Sequence, residues 1–194
     1  MSADQDRCMA IIEPLLGDLH DSLFDGMAFR QDQKNYSPEA IAQQRSRTAS
    51  NCVNDHAFHR LRERLEERRG CHFLNIRQME VLNYEDKALI RLKRVNGAGR
   101  ASNVQTEQQQ DYDDQKILPG LPEGAVRLVA GYQADAMFMS IDRVIISRPL
   151  GRDIRWAAQV TRFEEGAIWE DITPARLEGF DRADFNPERR SKKG

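Results

Sequence analysis

The stretch Ala88-Leu89-Ile90-Arg91-Leu92-Lys93-Arg94-Val95 decides how this chain is read. Its apolar residues recur with period two. In an extended segment Ala88, Ile90 and Leu92 fall on one face, and Leu89, Arg91, Lys93 and Val95 on the other. The first face suits a core. The second carries cations that either stand in solvent or line a groove, with Arg94 adding charge at the strand end. Just upstream, Phe73-Leu74-Asn75-Ile76 and Met79-Glu80-Val81-Leu82 have weaker strand character, and Asn83 to Lys87 reads as a turn. Residues 73–95 are therefore expected to form a hairpin. Downstream, Leu118-Pro119-Gly120-Leu121-Pro122 is a stiff apolar turn. Val126–Tyr132, Ile141–Ser147 and Ile154–Thr161 then read as three strands of an antiparallel meander with one buried face, and Trp156 as core.

The N-terminal third has a different period. Met9, Ile12, Leu15, Leu16, Leu19 and Leu23 recur at spacings of three and four, which predicts helix over 4–30, kinked or divided at Pro14. Gln31 to Tyr36 reads as a polar connector. Ser37-Pro38-Glu39 is a good helix start, and a helical pattern continues to about Arg69, broken near Ser50-Asn51. Gly70 is a natural stop. The expected fold is α+β: N-terminal helices packed on an antiparallel sheet of about five strands. Residues 1–71 form the helical part and 72–175 the sheet part, together one domain, followed by a basic tail over 176–194.

The net charge of −2 hides a segregation. Residues 37–100 carry thirteen bases against eight acids, while residues 1–36 carry three bases against seven acids. A positive middle segment beside negative flanks suits an anionic partner or its own flanks. The arginines at 45, 47, 60, 62, 64, 68 and 69 read either as a surface laced with local ion pairs or as a phosphate-contacting helix. In the polar segment between the last two central strands, Arg100, Ser102, Asn103 and Gln109 are added to Arg91, Lys93 and Arg94 as candidate binding residues. Ser102 and Asn103 also suit the cap of a short helix over 106–115.

No catalytic signature is found. Asn96-Gly97-Ala98-Gly99 is not followed by the lysine and hydroxyl residue of a phosphate-binding loop. A restriction-type nuclease needs a glutamate two residues before its lysine, and Arg91 stands there instead. Cys52, His56 and His59 share a helix face, but no second ligand cluster accompanies them. Three widely spaced cysteines give no disulfide framework. No metal and no cofactor is expected. No apolar run reaches the roughly 18 residues of a membrane span, and no secretory signal is read, so the expected location is the cytoplasm.

Tyr84, Leu89–Arg94, Ser102–Thr106, Gln109, Leu118–Pro122, Arg127–Tyr132 and Trp156 together resemble an uncharacterised family of small bacterial proteins. Those are encoded beside a gene that joins a helix-turn-helix domain to an ImmA/IrrE-type metallopeptidase. The resemblance covers roughly 84–160. It implies one member of a toxin–antitoxin, phage-defence or prophage regulatory pair, bound by the helix-turn-helix/metallopeptidase partner. The leading expectation is accordingly a non-enzymatic protein-interaction component. The alternative is a nucleic-acid-binding or nucleolytic effector using the basic residues at 45–69 and 91–100.

Overall fold

The structure is a computed structural model, and it describes residues 2–76, 78–101, 106–116 and 118–174. The fold is α+β, with four helices followed by a seven-stranded sheet. Helix α1 (Ala3–Ile12) leads through a 3-10 turn (Glu13–Leu15) into α2 (Leu16–Tyr36). Ser2 caps α1, its Oγ accepting from Gln5 N at 3.2 Å. Pro14 sits inside the 3-10 turn, so its missing N–H and fixed φ divide the two helices. A short α3 (Pro38–Ala42) precedes α4 (Ser46–Leu65).

Two helix expectations need correcting. Gln31 to Tyr36 is not a connector but the last turns of α2. The second helical stretch breaks at 43–45 and not at Ser50-Asn51. Ser50 stays helical, its Oγ bonded back to Ser46 O at 2.9 Å, a local contact that helices accommodate.

The sheet runs β1 (Cys71–Ile76), β2 (Met79–Tyr84), β3 (Ala88–Arg94), β4 (Val126–Ala134), β5 (Ile141–Leu150), β6 (Asp153–Phe163) and β7 (Gly166–Asp171), with spatial order equal to chain order. Seven strands replace the expected five, because 73–95 folds as a three-strand meander and Gly166–Asp171 adds an end strand. The sheet is also not wholly antiparallel. β3 and β4 run parallel, from Ala88↔Val126 to Arg94↔Tyr132. A parallel pair needs a crossover of a dozen residues or more, and the segment between them supplies it, carrying helix α5 (Glu107–Asp113). The cap of α5 is Thr106, whose Oγ1 accepts from Gln109 N at 3.3 Å.

One face of the sheet packs on the helices. Ile90, Leu92, Leu128, Ala130, Tyr132, Ile146, Trp156 and Ala158 share a core with Met9, Ile12, Leu16, Leu19, Leu23, Val53, Phe58 and Leu61. That core spans the helical and sheet parts of the chain. Helices α2 and α4 approach closely at Gly26: a Cβ there would lie 2.5 Å from Val53 O and 2.9 Å from Ala57 Cβ. The opposite sheet face carries two smaller clusters. Met79, Val81, Leu89, Tyr112, Leu118, Leu121 and Ala125 pack beneath α5, and Val95, Val129, Ile145 and Ala157 lie beside them.

Candidate functional site: a cationic cleft at the end of strand β3

The cleft exists because β2 and β3 stay in register only briefly, from Tyr84↔Ala88 to Leu82↔Ile90. Beyond Ile90, Arg91, Lys93 and Arg94 border a cavity of about 730 Å³. The first turns of α4 wall it with Ser46, Arg47, Ser50, Asn51 and Asn54. The start of α5 walls it with Thr106, Glu107, Gln108 and Gln109. Arg91, Lys93 and Arg94 line it from β3, and Gln78 and Met79 from the start of β2. Four bases thus face one carboxylate, with five side-chain amides between them.

Alternation along β3 brings Arg91 and Lys93 to the face covered by α5, where the second core forms. Arg91 is buried, not displayed to solvent. Its Nη1 donates to Gln109 Oε1, and Gln109 Nε2 donates to Asp113 Oδ1 at 2.7 Å. Its guanidinium also lies 5.2 Å from the centroid of Tyr112, while that of Arg127 lies 5.8 Å from the same ring. The Tyr112 hydroxyl is shared between Leu89 O at 2.8 Å and Leu128 O at 3.0 Å, so one side chain of α5 straddles the parallel strand pair. Burial pushes the Tyr112 hydroxyl far above the ordinary tyrosine range. Burial also raises the Asp113 carboxyl, against the opposing effect of the Gln109 hydrogen bond. Arg91 Nε and Asn54 Oδ1 are buried without a hydrogen-bond partner among the described residues.

Lys93 differs from its neighbours. It has no hydrogen bond and no ion pair among the described residues, and burial together with the nearby Arg91 charge pulls its amine down to about 8. The carboxylates of Asp55, Asp113 and Glu80 act in the opposite direction. Arg94 points to the other sheet face. There its Nη1 donates to Ser46 Oγ at 2.6 Å and its guanidinium stacks 4.8 Å from the Phe138 centroid. The Arg30 guanidinium also lies over the Phe138 ring, 4.9 Å from its centroid.

Of the residues singled out in the sequence, Arg91, Lys93, Arg94 and Gln109 meet in this cleft. Arg100 does not join them: it is exposed on the turn after β3 and lines a small neighbouring cavity with Gly99, Asp113 and Ser147. Ser102 and Asn103 lie outside the described residues. Of the α4 wall, Arg47 belongs to the arginines at 45–69 that the sequence singled out; its polar residues Ser46, Ser50, Asn51 and Asn54 were missed, as were Gln78 and Met79, since nothing local in them tells that they oppose β3. Four of the seven arginines at 45–69 have carboxylate partners, Arg62 reaching Glu80 at 4.0 Å. Arg60 pairs with Glu63 at 2.7 Å, Arg64 with Asp25 at 2.7 Å and Arg68 with Asp18 at 3.2 Å, and Arg62 lies over Phe58 and Phe73. His56 stacks on Phe29 and His59 Nε2 lies 3.2 Å from Glu63 Oε1.

A second cleft of about 620 Å³ lies at the other end of β3, but its charges are mixed, with three acids, Asp4, Asp86 and Glu123, beside four bases, Arg7, Lys87, Arg127 and Arg148. Among the described residues no helix is long and apolar enough to cross a membrane. No family model, curated protein or solved structure matches this chain.

Proposed function

We propose that the cleft between α4 and α5 binds a small anion bearing phosphate or carboxylate groups. The observation that carries this reading is the one-sided lining: Arg47, Arg91, Lys93 and Arg94 against Glu107, with Lys93 lacking a counter-ion among the described residues. Lys93 is half-buried; a partly desolvated cation without a partner is costly, and a bound anion relieves that cost. The cavity size falls in the range of roughly 300–1,000 Å³ typical of small-ligand sites. The amides of Asn51, Asn54, Gln78 and Gln108 add uncharged donors and acceptors that select an orientation. A polynucleotide is the less favoured occupant. Four of the seven arginines at 45–69 (Arg60, Arg62, Arg64 and Arg68) are paired with carboxylates, and no aromatic ring lines the cleft among the described residues to stack a base.

Thermal denaturation with inorganic phosphate, pyrophosphate, nucleoside phosphates and a short single-stranded oligonucleotide tests the reading. A small anion at millimolar concentration should raise Tm, and Arg94→Ala should reduce the rise. No shift with any small anion would overturn the proposal. A shift with the oligonucleotide alone would transfer the site to nucleic acid.

A second reading keeps the chain in the cytoplasm as the protein-interaction member of a bacterial toxin–antitoxin, defence or prophage pair, gripped by a helix-turn-helix/metallopeptidase protein. Besides the sequence resemblance, it is favoured by Phe163 and Ile168, which are 52% and 59% exposed. They lie on the same face of the β6–β7 corner, where Ile168 pairs with Thr161, two residues from Phe163. Apolar side chains on an end strand suit a protein contact. Co-purification with such a partner, lost on Phe163→Asp with Ile168→Asp, tests it; an unchanged complex sinks this surface.

A further inference from the structure

Lys93 stands near the C-terminal end of β3, a strand held on one side by its full parallel ladder with β4. Its side chain lines the cleft beside Arg91 and Arg94. It makes no hydrogen bond or ion pair among the described residues. The contrast with Lys87 and Lys116 is direct, since those lysines are exposed and paired with Glu85 at 2.6 Å and Asp111 at 2.8 Å. The charged groups facing Lys93 are Arg91 on its own strand, Asp55 on α4, Glu80 on β2 and Asp113 on α5. No carboxylate among them approaches within ion-pair distance.

We propose that Lys93 is a covalent-capture site, forming a reversible imine with an aldehyde or 2-oxo acid whose carboxylate or phosphate is held by the neighbouring guanidiniums. This rests on the cleft being an anion site and adds the chemical class of its ligand. Desolvation and an adjacent cation are the conditions that make a lysine amine nucleophilic near neutral pH, and an amine poised at about 8, though still mostly protonated there, has a far larger neutral fraction than an ordinary lysine. In the step, the nitrogen lone pair forms the N–C bond as the carbonyl π bond breaks. The oxygen then leaves as water, taking both hydrogens from nitrogen, and a C=N bond remains. Addition of water reverses it, so neither oxidant nor reductant is needed.

The test uses the full chain with glyoxylate and sodium cyanoborohydride at about pH 7.5. The hydride reduces the imine to a stable carboxymethyl-lysine, which peptide mass spectrometry quantifies at Lys93, Lys87 and Lys116. Lys93 should be modified more than about tenfold faster than the other two, because a far larger fraction of its amine is neutral. Inorganic phosphate should slow Lys93 alone. Lys93→Arg, checked for folding by circular dichroism, should lose the fast adduct. Modification of Lys93 no faster than Lys87 and Lys116 would overturn the proposal. If phosphate still raises Tm in that sample, the anion site survives and the capture chemistry falls alone. If it does not, both fall.

Discussion

Arg94 Nη1 donates to Ser46 Oγ at 2.6 Å, tying the end of β3 to the first residue of α4. The contact joins two residues 48 positions apart in the chain, and it does so at the mouth of the cationic cleft. Phe138 backs the same guanidinium, so Arg94 is held in one orientation by a hydrogen bond and a ring. Held this way, it presents its remaining N–H groups to an incoming anion with little further ordering cost.

Removing either side of this contact should therefore weaken anion binding in graded fashion. Arg94→Ala should raise the Kd for a small phosphate-bearing anion about tenfold, ~1.4 kcal/mol. Ser46→Ala keeps the charge but loosens it, and should cost less, roughly two- to threefold. Isothermal titration at low and moderate salt checks both. Equal affinity in Arg94→Ala and wild type would remove Arg94 from the site.

Tyr112 sets the position of α5, and thus of the second wall. Its hydroxyl serves the Leu89 and Leu128 carbonyls on adjacent parallel strands. Tyr112→Phe leaves the ring between Arg91 and Arg127 but takes away the O–H. The expected cost is about 1–2 kcal/mol, measured by urea denaturation, with anion affinity nearly unchanged. Tyr112→Ala removes the ring as well, and should cost roughly 3–5 kcal/mol. A Phe variant as stable as wild type would show that those carbonyls find other donors.

The tight seam between α2 and α4 gives a prediction that is independent of the site. At Gly26 an added methyl meets the Val53 carbonyl, a backbone atom that cannot swing aside. Gly26→Ala, favourable on helix propensity alone, should instead destabilise by about 1–3 kcal/mol and lower Tm by roughly 3–10 °C. A rise in Tm would mean that the helices separate at little cost.

Much of the architecture was legible where periodicity is strong. The alternation of Val126–Tyr132 and Trp156–Val160 and the three-four spacing of Met9 to Leu23 predict the core face of the sheet and the helical layer, and both pack as the pattern requires, whereas Ile154 packs against the cluster on the opposite face. The parallel β3–β4 pair was less legible. Its signal is the length of the connection, with a helix inside it, while both strands taken alone look like any other. β7 was missed because Gly166–Asp171 alternates half-buried and exposed residues at the sheet's end, with little apolar contrast to mark it. In the site, Arg91 and Lys93 were legible as cations on one strand face. Whether that face is wet or covered depends on α5, which packs through the single buried ring of Tyr112, and no local pattern reports a tertiary contact of that kind. The α4 arginines posed the converse problem: their partners Asp18 and Asp25 lie on α2, which sequence spacing does not reveal.

The pH response of Lys93 ties stability to binding. Its folded amine titrates at about 8, below the ordinary lysine value of 10.5. Between those values the unfolded chain holds a proton that the folded chain has released, so this residue's contribution to stability rises with pH across about 8 to 10.5. Below about 8 both states are protonated and the half-buried, unpaired charge opposes folding. Lys93→Met removes the group, so the stability gap between Met variant and wild type should be widest at about pH 7 and should close toward pH 10. Anion affinity should move the other way, falling as pH rises beyond about 8 and the cleft loses one of its four cations. Urea denaturation of both proteins across this range, with phosphate titrations of wild type alongside, checks the two slopes together. A gap that stays constant with pH would mean that Lys93 keeps its proton in the fold, and the account of its unpaired burial would fail with it.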